Sequence, residues 1–338
     1  MPTKDELKIL QAYPLELKIA KTKLRIREWV NRYGTDGVYV SFSGGKDSTV
    51  LLHIVREMYP DVEAVFVNTG LEYPEIQQFV KSFDNVAILR PKMRFDEVIK
   101  KYGYPLISKE VSRKIYDARN GKEWALRYVN GTAKLDNGNR SFFCIEKYAP
   151  LLKTDFRCAD TCCAVMKKSP LKAFAKQNHK KPITAQMADE SKQRTAQWLK
   201  NGCNGFEMKR PVSNPMSFWT EQDVLQYIKQ HNIPIASVYG DVVYANQTEQ
   251  TRIEGCESGK LKTTVCDRTG CIFCAFGAHL RGDQRFVRLK ETHPKQYDYC
   301  IGGGEYVDGI WQPSKDGLGM GHVFDELNKI YGEGFIKY

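Results

Sequence analysis

Long apolar stretches are missing from this sequence. No run of 18 or more apolar residues occurs, which excludes a membrane-spanning helix. The first residues, MPTKDELKILQAYPLELK, are charged and lack a signal-peptide core, so the chain is expected in the cytoplasm. Internal repeats and low-complexity linkers are absent as well, which argues against repeat arrays and disordered spacers. An acidic surplus is also missing: 51 Lys and Arg face 40 Asp and Glu, giving a formal net charge of +11. That balance favours an anionic partner without separating nucleotide from nucleic acid.

What is present is ordinary for a globular chain. Its 338 residues, 42% hydrophobic and 27% charged, can build one large or two ordinary domains. Ten cysteines in a cytosolic setting point to metal binding or redox chemistry and not to disulfides.

Residues 4–33 have helical character, with Leu17, Ile19, Leu24, Ile26 and Val30 as apolar positions among many Lys and Arg. Gly34 to Gly37 close that segment. VYVSF (38–42) is a continuous apolar run and predicts a buried parallel strand, followed by a helix over about 47–58. EAVFVN (63–68), VAILR (86–90) and KPITAQ (181–186) predict further strands. The β-α-β-α-β alternation predicts an α/β fold with a doubly wound, mostly parallel sheet and a ligand crevice at the strands' carboxyl ends. FWTEQDVLQYIKQHNI (218–233) predicts an amphipathic helix capped by Thr220. By pattern the chain divides into a helical segment (1–36), an α/β domain (37–234) and a Cys-rich C-terminal region (235–338).

The stretch Ser43-Gly44-Gly45-Lys46-Asp47-Ser48 lies between the first strand and its helix. It is not a Walker A loop: Asp47 follows Lys46 where Ser or Thr belongs, and Val40 stands at the first glycine position. A dinucleotide G-x-G-x-x-G is absent too. The two glycines let backbone N–H groups turn inward to form an anion-binding concavity. Ser43 and Ser48 add hydroxyls, Lys46 a point charge, and the following helix its positive end.

SFSGGKDS resembles the pyrophosphate loop (PP-loop) of the ATP pyrophosphatase superfamily, whose members cleave ATP between the α- and β-phosphates and adenylate a substrate. VNTGLEYPE is similar to the corresponding stretch of the phosphoadenylylsulfate (PAPS) reductase branch. DTCCAVMKKSPLKAF (160–174) resembles the Cys-Cys…Lys-x-x-Pro-Leu segment of adenylylsulfate reductases. ITAQMADESKQR (183–194) resembles their Gly-x-Arg-x-x-Glu-Ser…Arg motif, keeping Glu190, Ser191 and Arg194 but carrying Ala185 and Met187 at its Gly and Arg. The resemblance implies a Rossmann-like PP-loop fold. It implies ATP bound by Ser41, Ser43, Gly44, Gly45, Lys46, Asp47 and Ser48, with Asn68, Thr69, Gly70 and Arg194 completing the nucleotide site. Lys46 and Asp47 would be catalytic, Asp47 positioning Mg²⁺ or its waters.

Cys162-Cys163 and Cys271-x-x-Cys274 supply four thiols as two close pairs. Thiolates in fours suit tetrahedral zinc or an iron–sulfur cluster, and an adjacent Cys-Cys pair is unusual for zinc. The pairing is similar to the ligands of the 4Fe-4S cluster in adenylylsulfate reductases; zinc is the alternative. Cys158 and Cys266 are alternate ligands. Cys144, Cys203, Cys256 and Cys300 are expected as small buried residues.

A reductase of adenylylsulfate uses a cysteine in a Cys-Gly-Leu-His context near its end. Here the last cysteine is Cys300, in YDYCIGGGEY. The expected activity is therefore ATP pyrophosphatase chemistry coupled to sulfur transfer, as in enzymes that install sulfur in DNA or tRNA. A PAPS or adenylylsulfate reductase and a non-catalytic nucleotide-binding subunit are the alternatives. ATP, nucleic acid and a sulfur-donor protein are the expected partners. The basic, aromatic stretches 112–128 and 279–290 are candidates for tracking a phosphate backbone.

Overall fold

The computed structural model describes residues 2–245 and 259–338, so Cys256 lies outside the described residues. The chain forms two compact units. One comprises Met1–Asn68, Glu72–Arg90 and Pro170–Thr269, the other Thr69–Leu71, Pro91–Ser169 and Gly270–Tyr338. This division by packing differs from the division by sequence pattern. No helix among the described residues is long and apolar enough to cross a membrane.

The first unit begins with two helices where the sequence suggested one. Helix α1 (Lys4–Gln11) starts in a capping box between Thr3 and Glu6, and Pro14 precedes α2 (Leu15–Tyr33). The inward stripe of α2 runs through Leu15, Ile26, Trp29 and Val30. Leu17 and Leu24, counted above as apolar-face positions, are 54% and 46% exposed. Spacing decides this: at 100° per residue they fall off the stripe that Ile26 and Val30 define.

Strand β1 (Val38–Ser41), helix α3 (Lys46–Met58), β2 (Ala64–Val67), α4 (Pro74–Lys81) and β3 (Val86–Leu89) follow in the expected alternation. The sheet has six strands in the order β3, β2, β1, Lys181–Ile183, Val212–Ser213 and Asn204–Gly205. Every pairing is parallel except the last. Val38, Val40, Ala64 and Ile183 are fully buried, as strands covered on both faces require. Chain order runs outward from β1 through β2 to β3 and then resumes on the other side of β1. The turn after β1 thus leaves the sheet at the switch point, where this fold class binds ligands.

The helix Glu221–Gln230 has Thr220 as its N-cap, as the sequence indicates. Its Asp223 accepts a hydrogen bond from the Lys18 ammonium at 2.6 Å, with Lys18 only 2% exposed. A buried pair of this kind is costly to halve, because the survivor keeps its desolvation penalty. Lys18→Ala is expected to destabilise the protein by about 3–5 kcal/mol, read as a lower denaturant midpoint. A change below about 1 kcal/mol, the usual value of an exposed pair, would contradict that role.

The second unit is mainly helical, with Phe95–Tyr102, Lys109–Arg119, Glu123–Val129, Arg285–Thr292, Pro294–Ile301 and Met320–Tyr331 as its α-helices. A two-stranded parallel ladder pairs Leu106–Ile107 with Ala275–Phe276.

Candidate functional site

The loop after β1 is shaped by its own residues. Gly44 adopts φ +71°, and a Cβ there would lie 2.7 Å from Val80 and 2.8 Å from Ile76, so the position admits only glycine. Inside the turn, Ser43 N–H donates to Ser48 Oγ at 3.1 Å and the two hydroxyls lie 3.0 Å apart. Ser48 and Thr49 hydroxyls both donate to the Gly45 carbonyl, locking the first turn of α3. Ser41 ends β1 opposite Val65. Asn68 ends the first segment of the first unit, whereas Thr69 and Gly70 belong to the second.

Lys46 is 4% exposed and fully engaged. Its backbone N–H donates to the Tyr239 hydroxyl at 3.2 Å, and its ammonium donates to the Asp267 carbonyl at 2.9 Å. Glu221 Oε1 lies 3.0 Å and Asp47 Oδ1 3.7 Å from the same ammonium. Burial alone would lower the Lys46 pKa, but Asp47 and Glu221 outweigh it and hold the pKa above its ordinary value.

Asp47 is the complementary case. Its Oδ1 is buried with no hydrogen bond. Burial is the leading cause that raises its pKa, opposed by Lys46 and reinforced by Glu190 and Glu221. A buried carboxylate oxygen without a hydrogen bond is the kind of hard oxygen donor that divalent cations take. Arg194 pairs with Glu190, which also accepts from Arg268 at 2.8 Å. Its guanidinium therefore already has an anion.

Tyr239, Glu221, Asp267, Thr269 and Arg268 were not found from the sequence. Tyr239 and Asp267 stand 193 and 221 residues from Lys46. The only local hint was the capped start of the helix that carries Glu221.

The thiols lie in the second unit. The Cys162 thiol donates to Cys163, which raises its own pKa and lowers that of Cys163; Lys109 and Lys167 add to the lowering. Cys274 and Cys271 also add to the raising of the Cys162 pKa. Cys163 opens a rare π-helical turn, Ala164–Lys168. Ile107, in the strand just before Lys109, is held at φ +62°, an outlier for a β-branched residue. Among the described residues, no group of three or more His, Cys, Asp and Glu stands ready to hold a metal.

The alternates are placed differently. Burial pushes the Cys158 thiol up to about 12. Cys266 belongs to the first unit and donates its S–H to the Arg268 carbonyl at 3.0 Å. Cys300 is completely buried against Met320, and burial raises its pKa.

The basic stretches are partly internal. Arg119 donates to the carbonyls of Phe156, Leu151 and Thr154. Lys114 is buried, bonded to Glu110 and the Phe143 carbonyl. Arg285 holds Asp283 and the carbonyls of Cys274 and Phe276. Arg113, Arg127, Arg281 and Lys290 remain exposed.

The raised Asp47 pKa fixes a sign. Between the ordinary carboxylate pKa of the unfolded chain and the higher folded value, the folded state binds more protons. The contribution of Asp47 to stability therefore falls as pH rises across that window. Asp47→Asn is expected to gain stability relative to the parent as pH climbs from 3 to 7, measured by paired thermal melts. A parallel pair of curves would contradict the burial of Oδ1 without a hydrogen bond.

Comparison with known proteins adds an independent line. The family model described as "Phosphoadenosine phosphosulfate reductase domain" matches residues 37–120 and 136–276. The phosphoadenosine 5'-phosphosulfate reductase of Xanthomonas campestris pv. campestris (strain B100) is 23% identical over 239 residues, covering 69% of this chain and 77% of that protein. An uncharacterized protein of Methanocaldococcus jannaschii is 28% identical over 120 residues, 32% of this chain and 29% of that protein, so the match spans under a third of that relative. The solved PAPS reductase from Candida auris, in its phosphate complex, covers 70% of this chain and 91% of its own at 14% identity, with a TM-score of 0.39. So loose a superposition carries no argument about the site.

Proposed function

Since the chain belongs to the phosphoadenosine phosphosulfate reductase family, we propose that it works there as an ATP pyrophosphatase that adenylates an acceptor in support of sulfur transfer, with nucleic acid as the acceptor. The observation that carries this reading is the loop itself. Inward backbone donors, a buried ammonium and an orphaned carboxylate oxygen converge on one turn at the sheet's switch point.

In this reading ATP phosphates lie over residues 43–48, with Asn68 toward the base. Asp47 would hold Mg²⁺, which neutralises phosphate charge. Lys46 steadies the pyrophosphate that leaves. An acceptor oxygen bonds to the α-phosphorus while the bridging α–β P–O bond breaks. The protein contributes position and charge, without a covalent intermediate. Cys162, Cys163, Cys271 and Cys274 fit a 4Fe-4S cluster by donor chemistry, with zinc as the alternative, and the cluster would supply sulfur or redox chemistry. The exposed bases Arg113, Arg127, Arg281 and Lys290 are the ones that would meet a phosphate backbone.

The family's named relatives favour a second reading, the reduction of PAPS to sulfite. It needs a reachable thiolate, and Cys300 does not supply one, since it is 0% exposed and its pKa is raised by burial.

Two measurements separate the readings. Pyrophosphate release from ATP, stimulated by DNA or RNA, is expected from anaerobically prepared protein. Lys46→Ala should weaken ATP binding by about 10- to 100-fold, the worth of a charge-assisted hydrogen bond. Sulfite formation from PAPS with a thiol reductant, and no pyrophosphate from ATP, would overturn the proposal. For the thiols, iron and acid-labile sulfide in the parent, lost in Cys162→Ala, are expected; zinc alone, or no metal, would contradict the cluster.

A further inference from the structure

The phosphate loop is closed by a strap from its own chain. Ser237–Tyr239 forms a 3-10 turn, and Val242–Tyr244 pairs antiparallel with Leu261–Thr263. The two arms are drawn tight at Gly240, where φ is +67° and a Cβ would lie 2.1 Å from Thr264 Oγ1. Asp241 N–H donates to that same hydroxyl, Thr264 N–H to the Asp241 carbonyl, and Val265 N–H to the Tyr239 carbonyl. From these arms Tyr239 and Asp267 reach the loop. The Tyr239 hydroxyl accepts from the Lys46 amide and lies 2.6 Å from Thr269 Oγ1. A Cβ on Gly45 would meet Tyr239 Oη at 3.2 Å and Thr269 Oγ1 at 3.5 Å, so both hydroxyls sit directly on the turn. Of residues 43–48, only Ser43 is exposed.

The two strap groups that reach Lys46 are neutral oxygen acceptors, one on its amide and one on its ammonium, which Glu221 also meets at 3.0 Å. Those are the two donors an anionic ligand needs from this residue. We infer that Tyr239 Oη and the Asp267 carbonyl occupy the positions of two phosphate oxygens, so the strap is an autoinhibitory contact that a nucleotide must displace. The inference rests on the nucleotide reading of the loop given above. Its energetic logic is a population shift. The measured affinity for a ligand is the intrinsic affinity reduced by the fraction of molecules with the strap lifted. Residues that only stabilise the strapped form therefore weaken binding without touching the ligand. Tyr239 also covers the Lys46 ammonium, 5.7 Å from its ring centroid, which makes the closed form self-sufficient.

The test uses the full chain, Tyr239→Phe and, as a second variant on the other arm, Thr269→Val. Pyrophosphate and Mg-ATP are titrated calorimetrically, and amide hydrogen exchange is followed over residues 43–48, 237–244 and 261–269. Removing one strap hydroxyl is expected to tighten both ligands by about 2- to 10-fold, the net worth of one neutral hydrogen bond. Pyrophosphate added to the parent is expected to speed exchange in 237–244 and 261–269. Weaker binding in Tyr239→Phe would make the hydroxyl a ligand contact and overturn the proposal, as would unchanged binding. Slower exchange in the two arms on adding pyrophosphate would overturn it too. If no form binds either ligand, the nucleotide reading fails on its own account. The strap contact is then decided by exchange alone: faster exchange at 43–48 in Tyr239→Phe upholds it, and equal exchange sinks it.

Discussion

A lysine that is 4% exposed, at the start of a helix, sets the terms for the rest of the first unit. A buried donor left without an acceptor costs about 1–3 kcal/mol, and more when charged. Lys46 brings both an amide and an ammonium into such a place. Glycine geometry at Gly44 forces that amide inward, because the turn cannot take a side chain against Ile76 and Val80. Acceptors must then come from elsewhere in the chain. The helix Glu221–Gln230 presents Glu221, the arm around Tyr239 presents a hydroxyl, and the arm ending at Thr269 presents a carbonyl. The hairpin and the capped helix are thus consequences of the loop as much as neighbours of it. The Lys18–Asp223 pair ties that helix to α2, which fixes the height at which Glu221 meets the ammonium.

How much of this could be read from the sequence follows from the range of each interaction. The strand–glycine–helix turn is local, so its residues are visible in eight letters. Thr220 is visible for the same reason, since a cap and its helix are adjacent. The parallel sheet follows from apolar runs of the right length at β1, β2 and β3. The N-terminal helix was legible in kind but not in detail: Pro14 breaks it, and Leu17 and Leu24 point outward although they are apolar. Tyr239 and Asp267 were not legible at all. Nothing near either residue marks it, and their meaning arises only when some two hundred residues of intervening chain bring them to Lys46. The cysteines fall between these cases. Their spacing marked two pairs, but only folding shows that Cys271 and Cys274 act on Cys162, while Cys266 turns to a carbonyl.

Charge gives the last constraint on function. The chain carries a net +11, yet the loop is not a pool of cations. Three carboxylates, Asp47, Glu190 and Glu221, bear on one another there, and Lys46, Arg194 and Arg268 are already paired with them. An approaching polyphosphate meets a site near neutrality, and the surplus of Lys and Arg is distributed elsewhere. Long-range attraction by the whole surface therefore cannot account for phosphate binding at this turn; it falls off over about 8–10 Å in physiological salt. Short-range donors must do it, and the strongest are held by Tyr239 and Asp267. In the proposed reading, releasing them and adding a divalent cation at Asp47 are the two changes that would turn a neutral, satisfied loop into an anion site. In the proposed reading, this separation leaves the surface charge for the nucleic-acid acceptor and the short-range donors for the nucleotide.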